Sequence, residues 1–154
     1  MINFVKQRIK NEKGLTLIEL LAVVVILGII AAIAIPAIGG LIDNSKKDAH
    51  VANAQQMISS AKTWVAGNAN ETIPTAGKTL KLEDMISDGL IDNMDDPDGG
   101  GDTYDKDDSK VVITKTGNAY DYTVTLIGSK KKIDGKTQKL LKRDAVEEVT
   151  VSSP

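Results

Sequence analysis

Residues 15–42 of this 154-residue chain read LTLIELLAVVVILGIIAAIAIPAIGGLI, and Glu19 is the one charged residue among them. An apolar run of more than about 18 residues predicts a helix that spans a membrane. At about 1.5 Å per helical residue, this run would extend about 42 Å, which exceeds a hydrocarbon core of about 30 Å. Part of the helix must therefore lie outside lipid or pack on protein.

The residues before the run are basic. One acidic residue, Glu12, stands against four cationic ones: Lys6, Arg8, Lys10 and Lys13. Positive charge beside an apolar helix keeps that end in the cytoplasm, so we expect a single-pass protein whose remaining chain lies outside. The run is longer than the core of a secretory signal peptide and lacks a clear small-residue cleavage site at its end. We therefore expect the run to be retained and any cleavage to occur on its cytoplasmic side.

Three features within the run differ from a simple membrane anchor. Pro36 removes a helical hydrogen bond, and Gly39 and Gly40 lower the helix propensity nearby, so this end of the run is a weak helix. Glu19 is costly beside a continuous apolar surface unless it has a charged partner or reaches water. The alanines of the run permit helices to approach one another closely.

The composition excludes several classes of chemistry. The chain has no cysteine and one histidine, His50, which excludes disulfides, thiolate zinc sites, cysteine nucleophiles and multi-histidine metal sites. Its 19 basic and 21 acidic residues nearly balance, so the overall charge gives no drive toward nucleic acid. Ser45, Ser59 and Ser60 have only His50 as a possible base, and we interpret His50 as an exposed helix residue. We therefore expect no catalytic site.

The segment KGLTLIELL at residues 13–21, with its basic leader and with Pro36 beyond it, resembles the class III signal of type IV pilins and pseudopilins. The resemblance implies that a prepilin peptidase and methyltransferase cleaves between Gly14 and Leu15 and methylates the new amino group of Leu15. Leu15 replaces the phenylalanine usual in that family. The resemblance also implies that Glu19 neutralises the N-terminal ammonium of a neighbouring subunit, and that the helix melts locally at Pro36 in the fibre.

The resemblance further implies an α+β, pilin-like fold, in which a long transmembrane and amphipathic helix packs on a small antiparallel sheet. The implied function is that of a structural subunit, which an assembly ATPase and a platform protein move from the cytoplasmic membrane into a homo-oligomeric helical filament at the cell surface. One alternative is a pseudopilin of a type II secretion or competence (DNA uptake) system. Another is a membrane-anchored surface module that never polymerises.

We predict four segments along the chain. They are a cytoplasmic leader at 1–14 that is removed, a hydrophobic transmembrane and assembly helix at 15–42, an amphipathic helix at 43–68 and a globular headpiece at 69–154. The amphipathic segment has apolar residues at steps of three and four, which predicts one buried helical face. These residues are Val51, Ala54, Ile58, Ala61 and Val65. We expect Met57 and Trp64 to fill the headpiece core.

The headpiece pattern predicts a sheet with one face packed on the long helix. The alternation of apolar and polar residues and the Gly117-Asn118 turn favour a β-hairpin. The predicted elements are a short helix at 82–86, strands at 110–116 and 119–127, a short helix at 137–143 and a strand at 146–151.

Two charged segments of the headpiece are candidate binding sites. The glycine-rich stretch at 92–108 holds eight aspartates and does not fit regular structure. Hard cations take six to eight oxygen ligands, so Ca²⁺ is a candidate occupant, although the spacing differs from that of an EF-hand. The candidate ligands are Asp95, Asp96, Asp98, Asp102 and Asp105. The alternative is a solvated, mobile loop.

A lysine cluster follows the predicted hairpin, and it is the second candidate. Lys130, Lys131 and Lys132 begin this cluster and are candidate contacts to the phosphates of DNA. No aromatic residue is interleaved with them to stack on bases. The alternatives are a solvated surface and a contact with acidic loops of adjacent subunits.

Overall fold

The computed structural model describes the backbone of residues 2–150 and the side chains of residues 16–150. Its helices are α1 (Ile2–Gly67) and α2 (Leu82–Ser87), and short 3-10 helices lie at Gln138–Leu140 and Arg143–Ala145. The strands are β1 (Lys78–Lys81), β2 (Lys110–Thr116), β3 (Ala119–Ile127), β4 (Lys131–Thr137) and β5 (Glu147–Glu148). They form one antiparallel sheet in the order β1-β2-β3-β4-β5. The predicted α+β, pilin-like fold is confirmed.

The chain divides into two compact units, residues 1–43 and residues 44–154. In the first unit, the large apolar side chains from Leu17 to Ile42 are 51–71% exposed. Among the described residues, Thr16–Gly67 is the one helix long and apolar enough to cross a membrane. The helix continues through Pro36. Its local melting in a fibre stays a prediction.

The second unit has its own hydrophobic core. The part of α1 within this unit contributes Ala54, Met57, Ile58 and Ala61, which are fully buried as the periodicity predicts. Trp64 packs against this core and is partly buried. The sheet contributes one face of its three central strands, because alternate side chains of a strand point to the same side. The buried residues on that face are Val111, Ile113, Val124, Leu126 and Ile133.

The predicted hairpin and the predicted short helix are both confirmed. Strands β2 and β3 pair from Lys110↔Thr125 to Thr116↔Ala119, so Gly117 and Asn118 form the connecting turn. Gly117 has a φ of 65°, a conformation that glycine adopts without steric cost. Helix α2 also occupies the predicted position.

The predicted short helix at 137–143 is limited to the 3-10 helix Gln138–Leu140, and strands β1 and β4 were not predicted. The sequence of β4, KKIDGKT, is polar and contains a glycine, so its composition did not indicate a strand. Alternate side chains of β4 nevertheless point toward the core, and Lys131 and Ile133 are buried. The predicted strand at 146–151 is limited to Glu147–Glu148, and Val151 lies outside the described residues.

Candidate functional site

The acidic loop at 92–108 folds over α1 and encloses His50. The side chain of His50 is 1% exposed, and those of Asp96 and Asp98 are 0% and 3% exposed. The interpretation of His50 as an exposed helix residue is therefore wrong. The local helix pattern could not indicate this burial, because the carboxylates that cover His50 are 46 and 48 residues away in sequence.

Asp98 is the centre of this buried cluster, and three donors surround its carboxylate. Lys46 Nζ donates to Oδ1 at 3.0 Å, while His50 Nε2 at 3.0 Å and Lys131 Nζ at 3.2 Å donate to Oδ2. Burial alone would raise the pKa of Asp98, but hydrogen bonds from His50, Lys46 and Lys131 outweigh burial and hold this pKa far below its usual range. Asp98 is therefore a carboxylate anion that joins α1 to β4.

Asp96 is bound by backbone donors. The backbone N–H of Ser129 donates to its Oδ2 at 2.6 Å, and the backbone N–H of Asp98 donates to its Oδ1 at 2.9 Å. Although burial acts to raise the pKa of Asp96, these hydrogen bonds lower it overall. Gly128 makes the approach possible, because a Cβ at this position would lie 2.9 Å from Asp96 Oδ2.

A chain of hydrogen bonds fixes the orientation of His50. A carboxylate only accepts, so Nε2 of His50 carries the proton that faces Asp98. Asn53 Nδ2 donates to Tyr104 Oη at 2.9 Å, and a hydrogen bond of 2.8 Å joins the Tyr104 hydroxyl to His50 Nδ1. Burial raises the pKa of Tyr104, which keeps its hydroxyl protonated. Neither Asn53 nor Tyr104 was predicted from the sequence as a partner of this cluster.

The charged groups of the cluster satisfy one another. Both lysines, Lys46 and Lys131, donate to Asp98, and Asp96 lies 3.7 Å from His50 Nε2. Among the described residues, no buried side-chain nitrogen or oxygen lacks a hydrogen-bond partner. The arrangement therefore acts as an internal clasp, a name we use below for Lys46, His50, Asp96, Asp98 and Lys131.

The five aspartates predicted to bind Ca²⁺ do not converge. Within the described part of the chain, the one group of three or more potential metal ligands within 4.8 Å of one another is His50, Asp96 and Asp98. The two lysines of the clasp already supply positive charge there. Asp95 and Asp102 are exposed, and Asp105 accepts hydrogen bonds from the backbone of Asp107 and Asp108. The five carboxylates thus do not form one group in this structure, and binding of Ca²⁺ by the loop stays a prediction.

The three lysines predicted to contact DNA do not share one surface. Lys131 is buried and bonded to Asp98, because it lies on the inward face of β4. Lys130 is exposed, and Lys132 lies 3.7 Å from a carboxylate oxygen of Asp134. The assignment of Lys131 as a phosphate contact is therefore corrected. Binding of DNA elsewhere on the headpiece stays a prediction.

The candidate processing and assembly residues lie on α1. Glu19 is exposed on the apolar helix. Gly14 and Leu15 lie outside the residues whose side chains are described, so their roles stay predictions. Residues 9–35 match the family described as the prokaryotic N-terminal methylation motif, the hallmark of type IV pilin and pseudopilin precursors. No curated protein and no solved structure matches the chain.

Replacing Asp98 with Asn tests the clasp. The substitution leaves the buried Lys131 and the partly exposed Lys46 without their anion, so we expect the free energy of unfolding to fall by about 3–5 kcal/mol. The measurement is urea unfolding of the purified chain in detergent, followed by the fluorescence of its single tryptophan, Trp64. Asp95→Asn changes an exposed carboxylate of the same loop and serves as the control, with an expected change of about 0.5 kcal/mol or less. Equal effects of the two substitutions would contradict the clasp.

Acid should weaken the same interaction. Because the pKa of Asp98 is lowered on folding, its ionised form stabilises the protein above the unfolded pKa of about 3.9, and this stabilisation is lost as pH falls toward the folded pKa. We therefore expect the difference in unfolding free energy between wild type and Asp98→Asn to shrink between about pH 6 and about pH 2.5. Urea unfolding at both pH values measures it, and a difference that stays constant would contradict the lowered pKa.

Proposed function

We propose that this chain is a structural subunit of a type IV pilus. The observation that carries the proposal is the methylation motif at residues 9–35, which continues into a helix whose large apolar side chains are exposed along 17–42. Such an apolar surface is stable in a bilayer or against other helices, and a polymer of parallel copies provides the second environment. The motif itself indicates the pilin or pseudopilin family, and the pilus is our specific proposal.

In this proposal the protein first spans the cytoplasmic membrane once, with its N-terminus in the cytoplasm. A prepilin peptidase removes residues 1–14 and the amino group of Leu15 is methylated. An assembly ATPase and a platform protein then transfer the subunit into the filament, because the chain itself provides no energy source. The headpiece lies outside throughout.

Glu19 gives this assembly its register. A carboxylate on an exposed apolar helix is costly to desolvate alone, but the N-terminal ammonium of a neighbouring copy offsets that cost. The acid on one copy and the amine on the next are different surfaces, so the contact is heterologous and repeats without closing into a ring. A helical filament is the expected product.

The headpiece is suited to a filament that is exposed to the medium. It has no cysteine, so its stability comes from the hydrophobic core and from the clasp. The clasp joins residues of α1, the acidic loop and β4 that are 33 to 52 residues apart in sequence. These contacts hold the loop on the helix without a disulfide.

A pseudopilin of a secretion or competence system is the alternative that the same motif supports. The two differ in their products: a pilin forms long fibres, whereas a pseudopilin serves the release of proteins or the uptake of DNA through a short fibre. Long fibres of this chain in material sheared from cells support the pilus. Loss of protein release or DNA uptake in a deletion strain that never had long fibres supports the pseudopilin.

Replacing Glu19 with Ala tests the assembly step. We expect the variant to be cleaved and to stay in the membrane, while its amount in the sheared surface fraction falls at least about tenfold, because the N-terminal ammonium loses its buried partner. Immunoblots of the membrane and sheared fractions measure this result. Intact mass and N-terminal sequencing of wild-type sheared material should show a methylated Leu15 as the first residue.

Thr16→Ala changes an exposed neighbour on the same helix and serves as the control, with normal assembly expected. Wild-type filaments built from the unprocessed chain, or normal filaments of Glu19→Ala, would contradict the proposed function.

A further inference from the structure

A groove of about 340 Å³ lies where α1, the start of β3 and the 3-10 helix after β4 meet. Tyr120 and Tyr122 alternate on the same face of β3 as the buried Val124 and Leu126, and both are partly buried against the core. We call this feature the tyrosine groove. The residues that line it are Lys62, Tyr120, Asp121, Tyr122, Thr137, Gln138 and Lys139.

Lysines are held over both tyrosine rings of the groove. Lys62 Nζ lies 5.5 Å from the centroid of the Tyr122 ring and donates to Gln138 Oε1 at 2.6 Å. Lys115 Nζ lies 5.2 Å from the centroid of the Tyr120 ring. Ring faces attract ammonium groups, so these contacts restrict the lysines and reduce the entropy that a bound anion must remove. Two lysines, Lys62 and the exposed Lys139, line the tyrosine groove together with one carboxylate, Asp121, so the lining has a net positive charge that suits carboxylates.

The acidic loop offers carboxylates of the complementary charge. Asp95 and Asp102 are exposed, and an antiparallel bridge between Asp95 and Thr103 closes the turn that carries them. The clasp holds this turn on α1, through Asp98 and its contacts with Lys46 and His50. The acidic turn is therefore presented on a fixed base, although its own carboxylates face solvent.

The two surfaces are separated along the helix. The clasp contacts α1 at positions 46 and 50, whereas the tyrosine groove contacts α1 at position 62. At about 1.5 Å per residue, these positions are about 18–24 Å apart along the axis. The acidic turn of one copy can therefore meet the tyrosine groove of another when the second copy is shifted along the helix axis by a similar distance. Such a contact is heterologous and propagates in the same direction as a filament.

We propose that the tyrosine groove of one copy receives the acidic turn of a second copy in the assembled filament, with Asp102 of one subunit against Lys62 of the next. The proposal rests on the proposed function, because it places the contact in a polymer of this chain. It adds a lateral contact between headpieces to the contact made by the N-terminal helices. Charge complementarity selects which copies meet and in which direction.

Paired cysteines test this contact directly, because the natural chain contains no cysteine. In filaments of the full chain that carry Lys62→Cys and Asp102→Cys together, mild oxidation should link each copy to two neighbours and produce a ladder of covalent multimers on a non-reducing gel. Each single variant should give no species larger than a dimer. The matched control pairs Asp102→Cys with Glu83→Cys, an exposed residue of α2, and no ladder is expected.

Charge exchange tests the energetic role of the same pair. We expect Lys62→Glu alone, and Asp102→Lys alone, to reduce the amount of sheared filament at least about tenfold, since each variant faces like charges. The variant that carries both substitutions should recover most of the wild-type amount. An unchanged Trp64 emission spectrum in each variant shows that the headpiece is folded.

The outcomes separate this proposal from the proposed function. Wild-type filaments with no ladder and no effect of charge reversal would overturn the contact and leave the filament in place. The tyrosine groove would then be open to an external anion, such as an acidic polysaccharide. Absence of any wild-type polymer would overturn both proposals together. A ladder with recovery in the exchanged pair would support the contact.

Discussion

The exposed apolar surface of α1 is the constraint on which the biology of this chain depends. Between Leu17 and Ile42 every large apolar side chain is more than half exposed. Water is an unfavourable environment for these side chains, whereas lipid or the apolar surface of other helices is a favourable one. In the function that we propose, Glu19 makes the second environment specific, since its carboxylate requires a cation that the hydrocarbon of lipid does not supply.

The headpiece solves a different problem, which is to remain folded without a covalent link. Its hydrophobic core joins α1 to the sheet, while the clasp joins α1 to a loop that is too polar and too rich in glycine to pack by itself. A buried ionic cluster is not the most stabilising solution, because well-packed apolar residues often stabilise as much or more. Hydrogen bonds between charged groups have a defined geometry, so the clasp fixes the position of the loop on α1. Apolar contacts are less directional and would fix that position less closely.

Short-range sequence patterns predicted those elements of the fold that short-range interactions determine. The apolar run, the periodic face that includes Ala54 and Ile58, and the hairpin at Gly117 were all evident because each has a short-range signature. Strand β4 was not evident from the sequence, because a lysine such as Lys131 is typical of an exposed position. The buried ammonium group of Lys131 is bonded to Asp98, and that pairing spans 33 residues. No window of local sequence contains it.

The burial of Asp96 and Asp98 in the acidic loop depends on equally distant residues, so the composition of the loop did not indicate it. Aspartates and glycines are typical of a calcium-binding loop, but also of a loop whose carboxylates pair with lysines of the same chain. These two kinds of loop differ in the source of the cation. Here Lys46 and Lys131, one before the loop and one after it, meet at Asp98. The exposed Asp95 and Asp102 have no part in that neutralisation, so their charge is directed outward. Internal ion pairing thus separates the loop into a buried half that fixes its position and an exposed half available for recognition.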